Sequence, residues 1–393
     1  MRSIRELPIE GKAVFLRVDY NVPLEGGRVA DATRIVESLP TVRHACERGA
    51  RVLCASHLGK ARGKKDPGLS LAPVAVEFAF RLGRRVRFVE DCVGPQAEAA
   101  AKSLGPGEVL LLENLRFHAG EEANDPQFAA ALARLADVYV DDAFGAAHRA
   151  HASVVGLPGL IPVRGAGFLM EKEIRELSKV LQPDRPFAAI LGGAKISGKI
   201  DTLRMLARRA DVLLVGGGMA NHFVAALGLS VGKSLLEADR VPMAREILDT
   251  CKAEGKTLAL PSDFVVAASP DDAAGARTVS IAKIPAEAMA LDVGPKTLEQ
   301  FERLLAGVKT IFWNGPMGVF EKPPFDRGTM ALAMLLSESE AVTVVGGGES
   351  VAAAHVAGVA EKFTHVSTGG GASLEFITNG TLPGIEALKE SDK

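Results

Sequence analysis

The chain has 393 residues, 47% hydrophobic and 24% charged, and its 46 Lys+Arg against 48 Asp+Glu leave a formal net charge of −2. That length allows two or three domains with a large core, the composition excludes general disorder, and the balanced charge excludes a nucleic-acid binder that works through a basic tail. Aromatic residues are only 5%, whereas 41 residues are glycine, about a tenth of the chain against a usual ~7%.

Taken in chain order, short β-branched runs alternate with longer amphipathic ones. Predicted strands cover 13–18, 51–55, 109–112, 138–140, 188–191, 212–215, 257–260, 310–313 and 341–345. They read as fully buried parallel strands, because apolar residues run on without alternation. Predicted helices cover 35–47, 71–82, 126–135, 200–209, 243–254 and 325–337. Asp125-Pro126 is a helix start, with Asp as the cap and Pro as the first helical residue. Strand and helix in alternation predict an α/β fold. Nine strands exceed one tidy sheet, and residues 168–181 form a strongly helical stretch ending before Pro183. The expectation is two doubly wound, Rossmann-like parallel-sheet lobes joined by that helix, with a cleft between them. No repeat of 20 to 50 residues is present, which excludes a solenoid.

Cys46, Cys54, Cys92 and Cys251 form no C-x-x-C pair and no regular spacing. They predict buried thiols in a reducing compartment rather than a disulfide framework or a structural zinc site. Residues 1–6 have no signal-peptide character, and no segment reaches the ~18 uncharged apolar residues of a membrane span. The expected location is cytoplasmic, with no membrane and no nucleic acid as partner.

Open parallel sheets bind ligands beyond the carboxyl ends of their strands. In the first half those ends carry Arg17-Val-Asp-Tyr-Asn21, Ser56-His-Leu-Gly-Lys60, Glu113-Asn-Leu-Arg-Phe-His118 and Asp141 to His151, with Arg34 at a loop or helix start. Cations converging on one sheet edge in a nearly neutral half point to a small polyanionic ligand. Arg84-Arg85 and Lys64-Lys65 read instead as solvated faces. His148 and His151 suit phosphate hydrogen bonding or packing better than metal ligation, for want of a third ligand nearby. Asp141-Asp142 admits either acid–base pairing or a strand-end ion pair.

In the second half the strand ends carry 192–199 (GGAKISGK), 216–220 (GGGMA), 314–318 (NGPMG), 346–350 (GGGES) and 369–373 (GGGAS). Lacking a β-carbon, glycine lets backbone N–H groups and helix N-termini approach phosphate closely, and Lys195 and Lys199 add point charges. This predicts a nucleotide phosphate cradle. Familiar fingerprints fail: residues 228–234 (GLSVGKS) would need glycine at Leu227 to make a P-loop, and neither Gly346-x-Gly348 nor Gly369-x-Gly371 completes G-x-G-x-x-G. The H-R-D and D-F-G elements of protein kinases are also missing.

Ten motifs in order carry a specific resemblance: RVDYNVP (17–23), SHLGK (56–60), ENLRF (113–117), DDAFGAAHRAHAS (141–153), GGAKISGKI (192–200), GGGMA (216–220), LDVGPKT (291–297), WNGPMGVFE (313–321), GGGES (346–350) and STGGGAS (367–373). Together they resemble the phosphoglycerate kinase family over nearly the whole chain. That resemblance implies a 3-phosphoglycerate-binding domain at 1–168, an interdomain helix at 169–182, a Mg-nucleotide domain at 183–375 and a C-terminal segment at 376–393 returning to the first domain. It implies the reaction 1,3-bisphosphoglycerate + ADP ⇌ 3-phosphoglycerate + ATP, by in-line transfer after hinge closure in a monomer.

The resemblance also implies residue roles. Asp19, Asn21, Arg34, His57, Lys60, Arg116 and Arg149 would surround 3-phosphoglycerate. Lys195 and Lys199 would meet the ATP or ADP phosphates, while Gly192, Gly193, Gly216, Gly217, Gly318 and Val319 form the adenosine pocket and Glu321 meets the ribose. Asn314, Gly346, Gly347 and Ser350 would add nucleotide contacts, and Glu349 would help hold Mg²⁺. Arg34, Lys195, Lys199 and the backbone N–H groups near Gly348 and Gly371 would stabilise the transferring phosphoryl; the reacting oxygens are unprotonated, so no general base is required. The chain departs from the family's pattern at Lys60, commonly Arg, at Glu349 and Gly198, commonly Asp, and at Tyr20, commonly Phe.

Overall fold

The computed structural model describes residues 1–389; residues 390–393 of the expected C-terminal segment lie outside the described residues. The chain divides into two compact units. The first takes Met1–Arg175 and the segment from Thr381 onward, the second Glu176–Gly380.

The first unit is built on six strands in the order Val86–Val89, Val109–Leu112, Arg51–Ala55, Ala13–Arg17, Val138–Asp141 and Arg164–Ala166, every pair parallel. Ala13–Arg17 and Val138–Asp141 are buried along their whole length. In their register Arg17 stands opposite both Ala55 and Asp141. The chain reaches opposite sides of the sheet from Ala13–Arg17, so the crevice beyond that strand is a topological switch point.

The second unit repeats the plan with Thr257–Ala259, Val212–Val215, Phe187–Leu191, Thr310–Asn314, Val342–Gly346 and His365–Val366, again all parallel. Numbered within this sheet alone, this is the order 3-2-1-4-5-6 of doubly wound nucleotide-binding sheets. Its switch point lies between Phe187–Leu191 and Thr310–Asn314, the strands that lead into Gly192 and Gly315. A separate antiparallel sheet joins Arg277–Ser280, Asp263–Ala267 and Met289–Val293. The sequence reading expected only parallel strands and missed this sheet. Its strands mix exposed and buried residues, and the central one slips register between Val265 and Val266.

Helix ends follow their local chemistry. Asp125 accepts from the Phe128 N–H at 2.8 Å and starts Pro126–Ala133. The chain passes from one unit to the other within Phe168–Leu181. Asp142 starts that helix from a distant strand end by accepting from the Leu169 and Met170 N–H groups at 2.8 and 3.1 Å. Gly228, with φ +80°, ends Gly217–Ala226 as the Leu229 N–H reaches back to the Val224 carbonyl. The P-loop look-alike at 228–234 is therefore a helix terminus, with no strand before it. All four cysteines are buried and free. Among the described residues no helix is long and apolar enough to cross a membrane.

Candidate active site

Beyond the first sheet, Arg17, Arg34, Arg116 and Arg149 gather around His57. Arg34 Nη1 donates to Asp19 Oδ2 at 2.5 Å, the Gly59 N–H donates to Asn21 Oδ1 at 2.9 Å, and Arg116 Nη1 donates to the Gly59 carbonyl at 2.6 Å. His57 and Arg116 are buried, Arg34 and Arg149 half-buried, and Lys60 exposed. Burial, then the charges of Arg17, Arg116, Arg149 and Arg34, holds the His57 imidazole well below its ordinary range. Burial with Arg116, Arg17, Arg149 and His148 likewise pushes His151 down to about 4.

Arg116 is the most telling group. The residue is 2% exposed, yet Nε and Nη2 lack hydrogen-bond partners, and the Glu122 carboxylate is 3.6 Å from Nε. Burial and the Arg149 charge lower its pKa to about 10. Unused buried guanidinium donors carry a desolvation cost that an anion would relieve.

Arg17 was read only as part of a cationic segment, yet it organises this site. It is fully buried, with Nε donating to Ser153 Oγ at 2.9 Å and Nη2 facing His57 Nδ1 at 3.1 Å. Ser153 passes the bond to Glu121 at 2.6 Å. The Asp141-Asp142 pair forms no ion pair among the described residues. Burial pushes the two carboxyls up to about 6 and about 7, and both accept backbone N–H groups. His148 and His151 likewise belong to no cluster of three or more potential metal-ligating side chains among the described residues. Tyr20 tolerates its hydroxyl because Ser38 Oγ lies 2.9 Å away.

In the second unit the glycine loops build two concavities. One, of about 170 Å³, is lined by Gly193, Gly217, Gly318, Val319, Glu321 and Glu349 among others. Its wall includes Asp292, which the sequence reading left unassigned; burial raises this carboxyl to about 7 while it accepts from the Val293 and Gly328 N–H groups. The other, of about 260 Å³, is lined by Lys199, Asn314, Gly347, Gly348, Glu349, Ser350 and Gly371. Gly348–Val356 and Gly371–Asn379 both begin there, so two helix N-termini present N–H groups and positive dipole ends to one space. Lys199 Nζ donates to the Gly192 carbonyl at 3.0 Å, and burial lowers its pKa against the opposing effect of Glu349.

Gly192, Gly216 and Gly346 line neither concavity. A β-carbon at Gly192 would collide with the Pro316 carbonyl and one at Gly216 with Met317 Sδ, so these two permit close loop packing beneath the surface. Lys195 is exposed and outside both linings. Glu349 is exposed and borders both. In the second concavity Glu349 is the one lining carboxylate, and a carboxylate beside room for phosphate oxygens fits Mg²⁺ arriving with a nucleotide, since that ion keeps waters and rarely needs an all-protein cage.

Two doubly wound sheets, with arginines gathered beyond one and glycine loops that open helices beyond the other, give the chain the architecture of a nucleotide-handling α/β protein. Comparison with protein-family models matches the description "Phosphoglycerate kinase" over residues 4–380. Curated relatives with that name include those of Moorella thermoacetica, 52% identical over 389 residues and 99% of each chain, and Thermus thermophilus, 52% identical over 392 residues, covering 99% of this chain and 100% of the relative. Solved structures tell the same story. The phosphoglycerate kinase of Coxiella burnetii aligns with a TM-score of 0.89 at 38% identity over 98% of each chain. That of Pyrococcus horikoshii aligns at 0.86 and 34% identity, over 99% of this chain and 98% of the other. The chain belongs to the phosphoglycerate kinase family, whose members are glycolytic transferases.

Proposed function

We propose that this chain catalyses 1,3-bisphosphoglycerate + ADP ⇌ 3-phosphoglycerate + ATP, with the acid taken up by the first unit and Mg-nucleotide by the second. The partnerless Nε and Nη2 of buried Arg116 carry this reading, because four arginines converging around a neutral His57 suit a phosphorylated carboxylate. Asp19 orients Arg34, Asn21 orients the loop at Gly59, and Lys60 supplies a mobile charge at the rim.

On the nucleotide side, Gly193, Gly217, Gly318 and Val319 take the adenosine and Glu321 the ribose. Lys199, the helix starts at Gly348 and Gly371, and the more distant Lys195 take phosphate charge. Mg²⁺ bound with the nucleotide, with Glu349 as its carboxylate, neutralises charge on the phosphates. Both reacting oxygens are already anionic at neutral pH, so the chain's work is positioning and electrostatic stabilisation. The family implies hinge-bending; scattering profiles unchanged by both substrates would contradict it. A cytoplasmic monomer completes the reading.

The deciding experiment follows ADP formation from Mg-ATP with and without 3-phosphoglycerate, for the wild type and Arg34→Ala. Turnover should depend on the acceptor and fall by ~10³ or more in the variant, as for loss of a transition-state arginine. A folded wild type that binds Mg-ATP without acceptor-dependent turnover would overturn the assignment.

A further inference from the structure

We propose that Asp91, Cys92 and His118 form a binding site for one transition-metal ion of borderline softness, of the Zn²⁺ or Co²⁺ class. The edge strand Val86–Val89 pairs in parallel with Val109–Leu112, with Val89 opposite Leu112. The chain leaves both strands at the same end of the sheet, which brings Asp91-Cys92 beside the turn Leu115–Phe117 and the His118 that follows it. One donor atom from each residue lies within 4.8 Å of the other two.

The arrangement is built rather than accidental crowding. His118 Nε2 stands 2.7 Å from Asp91 Oδ1, and the imidazole stacks on Phe128 with centroids 5.2 Å apart. Cys92 is 1% exposed, while the Asp91 and His118 side chains keep 29% and 31% exposure. The thiol therefore forms the floor, and an ion would enter past the carboxylate and imidazole. Sulfur, nitrogen and oxygen donors together suit zinc-like ions and not Mg²⁺, and three protein ligands leave a fourth position for water. Binding breaks the Cys92 S–H bond, forms a metal–sulfur bond and releases the proton to buffer, with no change of oxidation state. None of these residues has a part in the proposed substrate sites.

The test is a Co²⁺ titration of the full-length reduced protein in chelator-free buffer. A thiolate-to-cobalt charge-transfer band should saturate at one equivalent, be displaced by Zn²⁺ and ignore excess Mg²⁺. Cys92→Ala should abolish the band, and His118→Gln should weaken binding by ~10-fold or more, both with wild-type circular dichroism. No band in the wild type, or a band that survives Cys92→Ala, overturns the site. Should Cys92→Ala fail to fold, unchanged affinity in His118→Gln overturns it equally.

Discussion

Nη2 of Arg17 stands 3.1 Å from Nδ1 of His57, and both side chains are buried. A guanidinium only donates, so Nδ1 accepts and the neutral ring keeps its proton on Nε2. Arg17 is thus a positioning residue that sets the His57 tautomer. In Arg17→Gln, His57 should titrate closer to 6.5, with a nitrogen chemical-shift signature of mixed tautomers, and affinity for the acid should fall about tenfold. A ring that stays neutral and unmixed in the variant would contradict this.

Arg116 keeps two buried guanidinium donors without hydrogen-bond partners. Replacing it with methionine removes a buried charge facing Arg149, at the loss of the bond to the Gly59 carbonyl and of the 3.6 Å ion pair with Glu122. Arg116→Met should leave the ligand-free protein as stable or more so, by about 1 kcal/mol, while 3-phosphoglycerate no longer raises its melting temperature. A large loss of stability without ligand would show that the guanidinium is structural.

The glycines separate into two groups. A β-carbon at Gly217, where φ is +58°, would stand 2.8 Å from the Gly193 nitrogen, whereas at Gly348 and Gly371 it would meet nothing within 4 Å. Gly217→Ala should cost ~2 kcal/mol or more of stability. Gly348→Ala and Gly371→Ala should stay within ~0.5 kcal/mol of the wild type, yet lower kcat by obstructing the approach of phosphate to the helix starts. Denaturant midpoints beside turnover decide, and unchanged kcat would remove those two residues from the catalytic set.

Asp142, buried, and His151, partly buried, pull acid and alkaline stability in opposite directions. Asp142 has its pKa raised to about 7, so its share of stability is present below its unfolded value and is lost as pH rises through 7. Asparagine keeps the acceptor for Leu169 and Met170 without ionising, so Asp142→Asn should gain on the order of 2–4 kcal/mol at pH 8 and little at pH 4. His151 has its pKa lowered to about 4, so its share is present above 6.5 and is lost as pH falls from 6.5 toward 4. His151→Gln should flatten that acid limb in urea titrations, and an unaltered limb would assign it to other groups.

Glu349 borders both concavities and opposes the lowering of the Lys199 pKa. Glu349→Ala should weaken Mg-nucleotide use by ~10-fold or more, with 3-phosphoglycerate binding unchanged. Equal loss of both affinities in calorimetry would detach Glu349 from the metal.

The sheets were legible where burial on both faces leaves an unbroken apolar run, as at Ala13–Arg17 and Thr310–Asn314. Val86–Val89 was missed because Arg87 interrupts its run, and His365–Val366 because two residues carry no pattern. Helices beginning at Gly217, Gly348 and Gly371 were hidden by their glycines, read as loop although each opens a helix. The motifs pointed to the residues that gather around His57 and to those that line the two glycine-loop concavities. They did not reveal that Arg17 faces His57 or that Asp142 caps Phe168–Leu181, because each partner lies far along the chain and only folding brings them together.

The last described helix, Pro383–Leu388, buries Ile385 and Leu388, and its Gly384 N–H donates to the Ala147 carbonyl at 2.9 Å. Arg164 then donates to the Lys389 carbonyl at 2.8 Å. During synthesis, residues 1–175 therefore leave the ribosome first yet wait for this packing partner until the whole of 176–380 has followed. The uninterrupted segment 176–380 is complete before them, so the half of the molecule that is translated first is the half that finishes last.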